Sequence, residues 1–425
     1  MTLSKIQKEI VNSKERNIIV DAGSGSGKTR VLTERVKRLL KEGNNPKSIV
    51  VITFTNLAAD ELYERLKDVE GSDKCFIGTI HSYANKLLKK TGMQFEIFSE
   101  YYQTQFMTML IPKYAKYCSM DDYLQFVKYD RMVSAGRMSK KDVCSKFTDP
   151  KVYHEIMALL GREFSSYYKE TVLTLCKANN VISFDELLTL TTDYFKENKL
   201  SLEYLFVDEL QDVGYLEYNF LMSLKADNNF VIGDDYQEIY KFKGGDVNIF
   251  LGLMNSDDWY QYYLTENYRT AKSILRYANA IIAHAWNIIK KDVVYKNDNE
   301  GELRFLAKSM LDNFLSELKE NVDWFILTRS NKEMVQIDTI LSKLHKEHYC
   351  FKQSTMSPKK IKEIMSKPCI KVITVHSSKG LECENVALYG KFPVKPKVEK
   401  QEQSDEIKVF YVGITRAKNR CIIFV

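Results

Sequence analysis

The chain has 425 residues, with 62 Lys and Arg against 56 Asp and Glu, and a formal net charge of +6. It is 44% hydrophobic and 28% charged, with only 18 Gly and 7 Pro; this excludes a disordered, collagen-like or low-complexity chain and leaves room for two or three domains. No apolar run approaches the roughly 18–20 residues of a bilayer span, and MTLSKIQKEIVNS lacks the apolar core of a secretory signal. A cytoplasmic protein with no membrane partner is therefore expected. The small positive excess favours a polyanionic partner only weakly, and an ordinary soluble surface explains it equally well. The 8 cysteines are scattered without a CxxC pair, so neither a zinc site nor a disulfide framework is expected.

Along the chain, Asn17–Val20 reads as a strand, followed by a glycine turn at Gly23–Thr29. Val31, Leu32, Arg35, Val36 and Leu39 then keep helical spacing. Ile49–Phe54 is a second strand ahead of a helix over Ala58–Lys67, and Cys75–Ile80 a third strand leading into another helix. Strands alternating with helices imply a parallel sheet covered on both faces. From Ser99 to Asn198 the chain turns rich in Tyr, Met, Leu and Lys with few β runs, and predicts an inserted helical domain. Strand signals resume at Tyr204–Asp208 and Asn229–Gly233. A second α/β set follows at Trp324–Thr328, the helix Asn331–Lys346, Ile370–Val375, Asn385–Tyr389 and Arg420–Val425. Lys391–Lys408, charged with alternating sign and carrying two prolines, reads as an exposed, solvated loop.

Asp21–Thr29 (DAGSGSGKT) follows a strand and opens a helix, the context that a phosphate-binding loop requires. Its glycines let backbone N–H groups close on phosphates, and the helix N-terminus adds its positive dipole end. Lys28 would neutralise the β- and γ-phosphates, and the Thr29 hydroxyl would ligate Mg²⁺. Tyr204–Asp212 (YLFVDELQD) supplies what such a loop still needs at the end of another strand. Asp208 would hold the metal, and Glu209 would orient and deprotonate the attacking water. Together the two blocks point to hydrolysis of a nucleoside triphosphate.

Val231–Gly245 (VIGDDYQEIYKFKGG) resembles motif III of the UvrD/Rep/PcrA helicases of superfamily 1. Leu3–Val11 with Gln7 then resembles their Q motif, Thr53–Ala59 (TFTNLAA) motif Ia, and Gly78–Ser82 (GTIHS) motif Ib. Leu264–Thr270 (LTENYRT) resembles motif IV, Thr374–Glu382 (TVHSSKGLE) motif V, and Tyr411–Lys418 (YVGITRAK) motif VI. The blocks keep the family's order over nearly the whole chain.

The resemblance implies an α/β fold of two RecA-like P-loop parallel-sheet lobes with an inserted α-helical accessory domain. The first lobe would occupy residues 1–98 and 199–265, the accessory domain 99–198, and the second lobe 266–425. The family's large second accessory domain would shrink to a short linker near 353–368, and no extension follows motif VI. The resemblance also implies an ATP-dependent DNA helicase or single-stranded DNA translocase, of 3′→5′ polarity, using ATP and Mg²⁺. Gln7 would read the adenine edge and Tyr268 stack on its face. Ala22, Gly23, Ser24, Gly25, Ser26, Gly27 and Arg30 would line the nucleotide with Lys28 and Thr29, and Glu382 would contact it near the ribose. Gln237 would sense the γ-phosphate, and Arg269 and Arg416 would act as arginine fingers supplied in cis. Phe54, Tyr240 and Phe242 would stack on bases of the strand, which tolerates any sequence. Thr55, Asn56, Thr79, His81, Ser82, His376 and Lys379 would touch its phosphates or sugars.

Leu57, Lys241, Lys243, Leu210 and Cys383 depart from the family's usual residues, and none of them removes a catalytic group. The substrate would be single-stranded DNA or a single-/double-strand junction. Two alternatives stay open. One is a motor that unwinds poorly alone and serves a protein partner such as a nuclease in DNA repair, replication or antiviral defence. The other is an ATP-binding clamp without turnover.

Overall fold

Runs such as Ile18-Ile19-Val20 and Ile49-Val50-Val51-Ile52 have no polar face to offer water, so they are stable only where both faces of a sheet are covered. The computed structural model describes residues 2–98, 174–198, 200–241, 244–351, 358–394 and 401–425. By internal contacts the chain divides into a unit of Met1–Ile80 with Lys199–Val425, and a unit of His81–Asn198.

In the larger unit, strands β1 (Asn17–Ala22), β2 (Ile49–Thr53) and β3 (Phe76–Thr79) come first. The smaller unit contributes β4 (Glu96–Ile97) and β5 (Val181–Ile182), which pair with each other in parallel ahead of the helix Phe184–Glu197. Most of the predicted helical insertion falls on residues 99–173, outside the described residues. The larger unit resumes with β6 (Tyr204–Val207), β7 (Asn228–Gly233) and β8 (Tyr260–Leu264). These build a six-stranded, all-parallel sheet in the order β3-β2-β6-β7-β1-β8. All six C-terminal ends therefore share one edge, and the loops after β1, β6 and β7 emerge side by side there.

Beyond the short pair β9 (Glu266–Asn267) and β10 (Val294–Tyr295), a second all-parallel sheet forms. It uses β11 (Glu302–Leu306), β12 (Trp324–Thr328), β13 (His348–Cys350), β14 (Ile370–Thr374), β15 (Cys383–Tyr389) and β16 (Ala417–Phe424), in the order β11-β16-β15-β12-β14-β13. Two RecA-like α/β lobes thus stand in the larger unit. Among the described residues, one apolar core packs the helix Lys272–Ile282 on one face of the second sheet, and it also takes in Tyr236 and Ile239 from the loop after β7. Burying those two side chains ties that loop to the second lobe.

One expectation is corrected. The predicted loop Lys391–Lys408 holds the first half of a helix, Gln401–Ile414. Its first turns are polar, which hid it, but Ile407, Phe410, Tyr411 and Ile414 repeat at helical spacing and are buried. Among the described cysteines, Cys369, Cys383 and Cys421 are buried and free.

Candidate nucleotide site and strand interface

The glycine turn leaves β1 with Gly25 at φ +67° and Gly27 at φ +87°, left-handed values that favour glycine. The helix Lys28–Lys41 begins on Gly27 with no side-chain cap, so its first N–H groups remain available to an anion. Lys28 Nζ is buried without a hydrogen-bond partner, 3.7 Å from Glu209 Oε1; the hydroxyls of Ser24 and Ser26 are likewise unpaired. A buried ammonium without acceptors is costly, and phosphate oxygens are the acceptors this arrangement lacks. The residues present fit a nucleotide's phosphate chain.

Gln7 is held over the same turn. Ser4 and Gln7 form a reciprocal capping box at the start of the helix Lys5–Asn12, and Gln7 Nε2 donates to the Ser26 carbonyl at 2.9 Å. Buried Arg35 donates to the carbonyls of Ile10 (2.7 Å) and Val11 (3.3 Å), fixing the far end of that helix. Burial brings the Arg35 guanidinium down to about 10.

Asp208 follows β6, and its amide donates to the Ile52 carbonyl at 2.8 Å. Burial, with the Glu209 charge beside it, pushes the Asp208 carboxyl up to about 7. Glu209 takes a left-handed φ of +56°, unusual for a residue with a Cβ. Burial opposes its charge, but Lys28, Lys379 and the amide of Gln211 hold its carboxyl below the usual range. Asp208, Glu209 and Thr29 line one cavity of about 750 Å³. A buried carboxylate and a hydroxyl on one wall are hard oxygen donors of the kind Mg²⁺ takes.

Gln211 links the loops after β6 and β7. Its Nε2 donates to Glu209 Oε2 at 2.5 Å, and its Oε1 accepts from the Asp234 amide at 2.9 Å. A Cβ on Gly233 would fall 2.6 Å from that Oε1 and 2.9 Å from the Phe250 ring. Gly233→Ala is therefore expected to lower stability by about 1–3 kcal/mol, read as a lower urea midpoint at unchanged slope.

Gln237 and the two arginines meet around this edge. Arg416, 1% exposed, donates from Nη2 to Gln237 Oε1 at 2.9 Å, from Nε to the Val412 carbonyl at 3.0 Å, and from Nη1 to the Leu381 carbonyl at 3.2 Å. Arg269 Nε lies 2.5 Å from Glu382 Oε2, and its Cβ packs so close to Gly25 that a methyl there would sit 2.8 Å away. Glu382 also pairs with Lys418 at 2.8 Å. Although burial opposes it, Arg269 and Lys418 pull the Glu382 carboxyl down to about 2. Tyr268 donates its amide to the Gly25 carbonyl at 3.0 Å and its hydroxyl to Glu266 at 2.7 Å.

On the strand side, Phe54 and Tyr240 stack on each other, with ring centroids 5.3 Å apart at 17°. The Tyr240 hydroxyl donates to the His376 carbonyl at 2.9 Å, and both rings reach the cavity that holds Glu209. Thr55 caps the helix Asn56–Leu66, accepting from the Ala58 amide at 3.2 Å, and Asn56 is exposed. Thr79 ends β3. In the smaller unit, His81 meets the edge of Phe184 at 4.8 Å and Ser82 is exposed. Phe242 lies outside the described residues. The Lys379 ammonium pairs with Asp212, donates to the Gln237 carbonyl at 2.6 Å and is only 6% exposed. Lys379 lines the same cavity as Phe54 and Tyr240.

Three residues at this edge carry no expectation from the motifs. Asn267 donates to the Ser24 carbonyl at 2.6 Å and accepts from the amides of Arg269 (3.0 Å) and Thr270 (2.8 Å), fixing the arginine against the glycine turn. Its place inside the Leu264–Thr270 block was the available signal. Asp21, a carboxylate within an apolar strand, pairs with Lys291, which nothing in the surrounding sequence singles out.

The chain matches the family model described as UvrD/REP helicase N-terminal domain over residues 3–257, and the UvrD-like helicase C-terminal domain over 349–425. It is 28% identical to a probable DNA helicase of Mycoplasma pneumoniae, over 98% of this chain and 82% of that relative. It is 28% identical to the ATP-dependent DNA helicase Rep of Buchnera aphidicola (81% of this chain, 54% of the relative). It is 29% identical to the ATP-dependent DNA helicase PcrA of Bacillus subtilis (80% and 49%). The chain thus spans about half the length of the Rep and PcrA relatives.

Proposed function

The chain belongs to the UvrD/REP helicase family, and from that premise we propose that it is an ATP-dependent DNA helicase or single-stranded DNA translocase moving 3′→5′. The observation that carries the reading is the buried Lys28 ammonium, without a hydrogen-bond acceptor, on a left-handed glycine turn 3.7 Å from Glu209, whose carboxylate lines a cavity with Thr29 and Asp208. In this reading the turn from Ala22 to Thr29, with Arg30, binds the triphosphate, while Gln7 and Tyr268 hold the base and Glu382 lies toward the ribose. Thr29 and Asp208 hold Mg²⁺, which when bound neutralises phosphate charge and orients the transferred group. Glu209 takes the proton of the attacking water; its carboxyl is kept ionised for that task and steered by Gln211. Arg269 and Arg416 stabilise charge on the departing phosphoryl group, and Gln237, already bonded to Arg416, reports its presence.

Bases of a single strand would join the Phe54–Tyr240 stack, with Thr55, Asn56, Thr79, His81, Ser82, His376 and Phe242 serving the same strand. Nucleotide-driven closure of the second lobe on the first would convert hydrolysis into steps. The test is phosphate release titrated with single-stranded DNA, for wild type and Tyr240→Ala. The variant is expected to keep basal hydrolysis and to need about tenfold more DNA for half-stimulation, since one base–aromatic stack is worth about 1–3 kcal/mol. Nucleotide binding without phosphate release at any DNA concentration would instead make the protein a clamp.

A second reading is favoured by the chain between β12 and β14. Its described residues hold only the helix Asn331–Lys343, β13 and the helix Pro358–Met365. A motor pared down in this way would translocate yet unwind poorly, and would act with a protein partner such as a nuclease. Strand displacement that stays weak while DNA-stimulated hydrolysis is brisk would select it.

A further inference from the structure

Three carboxylates and one ammonium are sealed together behind the glycine turn. Asp21 comes from β1, Asp234 and Asp235 from the turn after β7, and Lys291 from the segment between the helix Lys272–Ile282 and β10. Lys291 Nζ pairs with Asp21 and lies 2.9 Å from Asp234 Oδ1 and 2.7 Å from Asp235 Oδ1, with side-chain exposures of 1% and 0%. The ammonium also sits 4.2 Å from the centroid of the Tyr236 ring. The three carboxylates are close enough together to hold a metal ion, and the lysine occupies the place a cation would take.

The backbone of the lysine's own segment is bound into the same cluster. The Lys291 amide donates to the Tyr236 hydroxyl at 3.1 Å, and the Ile289 amide to Asp235 Oδ2 at 2.5 Å. Val293 presses on Gly23, where an added Cβ would meet its side chain at 3.1 Å. Asp234 then extends the contact outward. Its Oδ2 accepts from Gln237 Nε2 at 2.6 Å, and Gln237 Oε1 accepts from Arg416. An unbroken line of charge-assisted hydrogen bonds therefore runs Lys291–Asp234–Gln237–Arg416.

We infer that Lys291 is a positioning residue for DNA-coupled hydrolysis. It clamps Asp234 so that the Gln237 amide keeps its orientation, Nε2 on Asp234 and Oε1 toward Arg416, and it links the 289–293 segment to that amide. The inference rests on reading Gln237 as the coupling residue. A lysine that only neutralised Asp21 would need no bond to Asp234, and its removal could be offset by removing the Asp21 charge. A positioning lysine could not be replaced in that way.

The experiment compares wild type, Lys291→Met, Lys291→Arg and the double variant Asp21→Asn/Lys291→Met. It measures urea midpoint, affinity for a fluorescent ATP analogue, and phosphate release with and without single-stranded DNA. Lys291→Met should lose stability, and the double variant should recover most of it. In the double variant, DNA-stimulated kcat should fall about tenfold or more, and several-fold further than either basal turnover or nucleotide affinity. Lys291→Arg should restore part of that stimulation. Recovery of stimulated kcat together with the urea midpoint in the double variant would overturn the inference and leave a purely structural ion cage. Equal loss of basal and stimulated turnover would also overturn it, by placing the effect on the nucleotide site. A wild type that DNA does not stimulate would overturn it along with the strand-coupled reading beneath it.

Discussion

Lys28→Ala should lower ATP turnover by about 10²–10³-fold or more, because it deletes the ammonium that the glycine turn presents to the phosphate chain. Stability should not rise. In the nucleotide-free protein that ammonium lacks a hydrogen-bond acceptor but lies 3.7 Å from the buried Glu209 carboxylate and supports its charge, so its loss leaves that carboxylate less compensated and the urea midpoint should hold or fall. Phosphate release and urea unfolding on the same preparation check both halves. Undiminished hydrolysis in this variant would remove the basis for calling the glycine turn a nucleotide site.

Arg416→Ala is the second large effect. An arginine finger is worth about 10³–10⁵ in rate. The side chain also satisfies the Val412 and Leu381 carbonyls, so alanine should cost about 1–3 kcal/mol of stability as well. Arg416→Lys separates the two contributions. It keeps the charge but cannot span Gln237 and both carbonyls, so turnover should stay low while the unfolding midpoint partly recovers. Wild-type turnover in Arg416→Ala would leave the guanidinium as a brace between Gln237 and two carbonyls, with no part in hydrolysis.

The sequence made the interior of both sheets legible and left their margins obscure. β1, β2, β6, β7, β12 and β14 are buried on both faces and stand out as apolar runs. β8, β11 and β13, which were not predicted, all lie at sheet edges. YQYYL buries only Tyr262 and Leu264, and ELRFL buries none of its side chains fully, so their composition is mixed and they lack the continuous apolar signal. The blocks proposed to bind and hydrolyse the nucleotide stood out because a phosphate loop and a paired acid must each be contiguous to work. Lys291 was not, because its meaning comes from three carboxylates far away in the chain, the farthest 270 positions off. The pairing of Lys379 was hidden for a related reason: its motif fixes the residue type, but Asp212 decides where the ammonium points.

The position of β1 has a consequence for how the protein is made. The strand lies between β7 and β8, and its first residue, Asn17, bonds Asn229, 212 positions later. At about 5–20 residues per second, a ribosome would release Ile18, Ile19 and Val20 on the order of ten to forty seconds before either neighbour existed. During that interval the segment carrying the phosphate loop is a bare, sticky β-former, and a holding chaperone would have its first opportunity there.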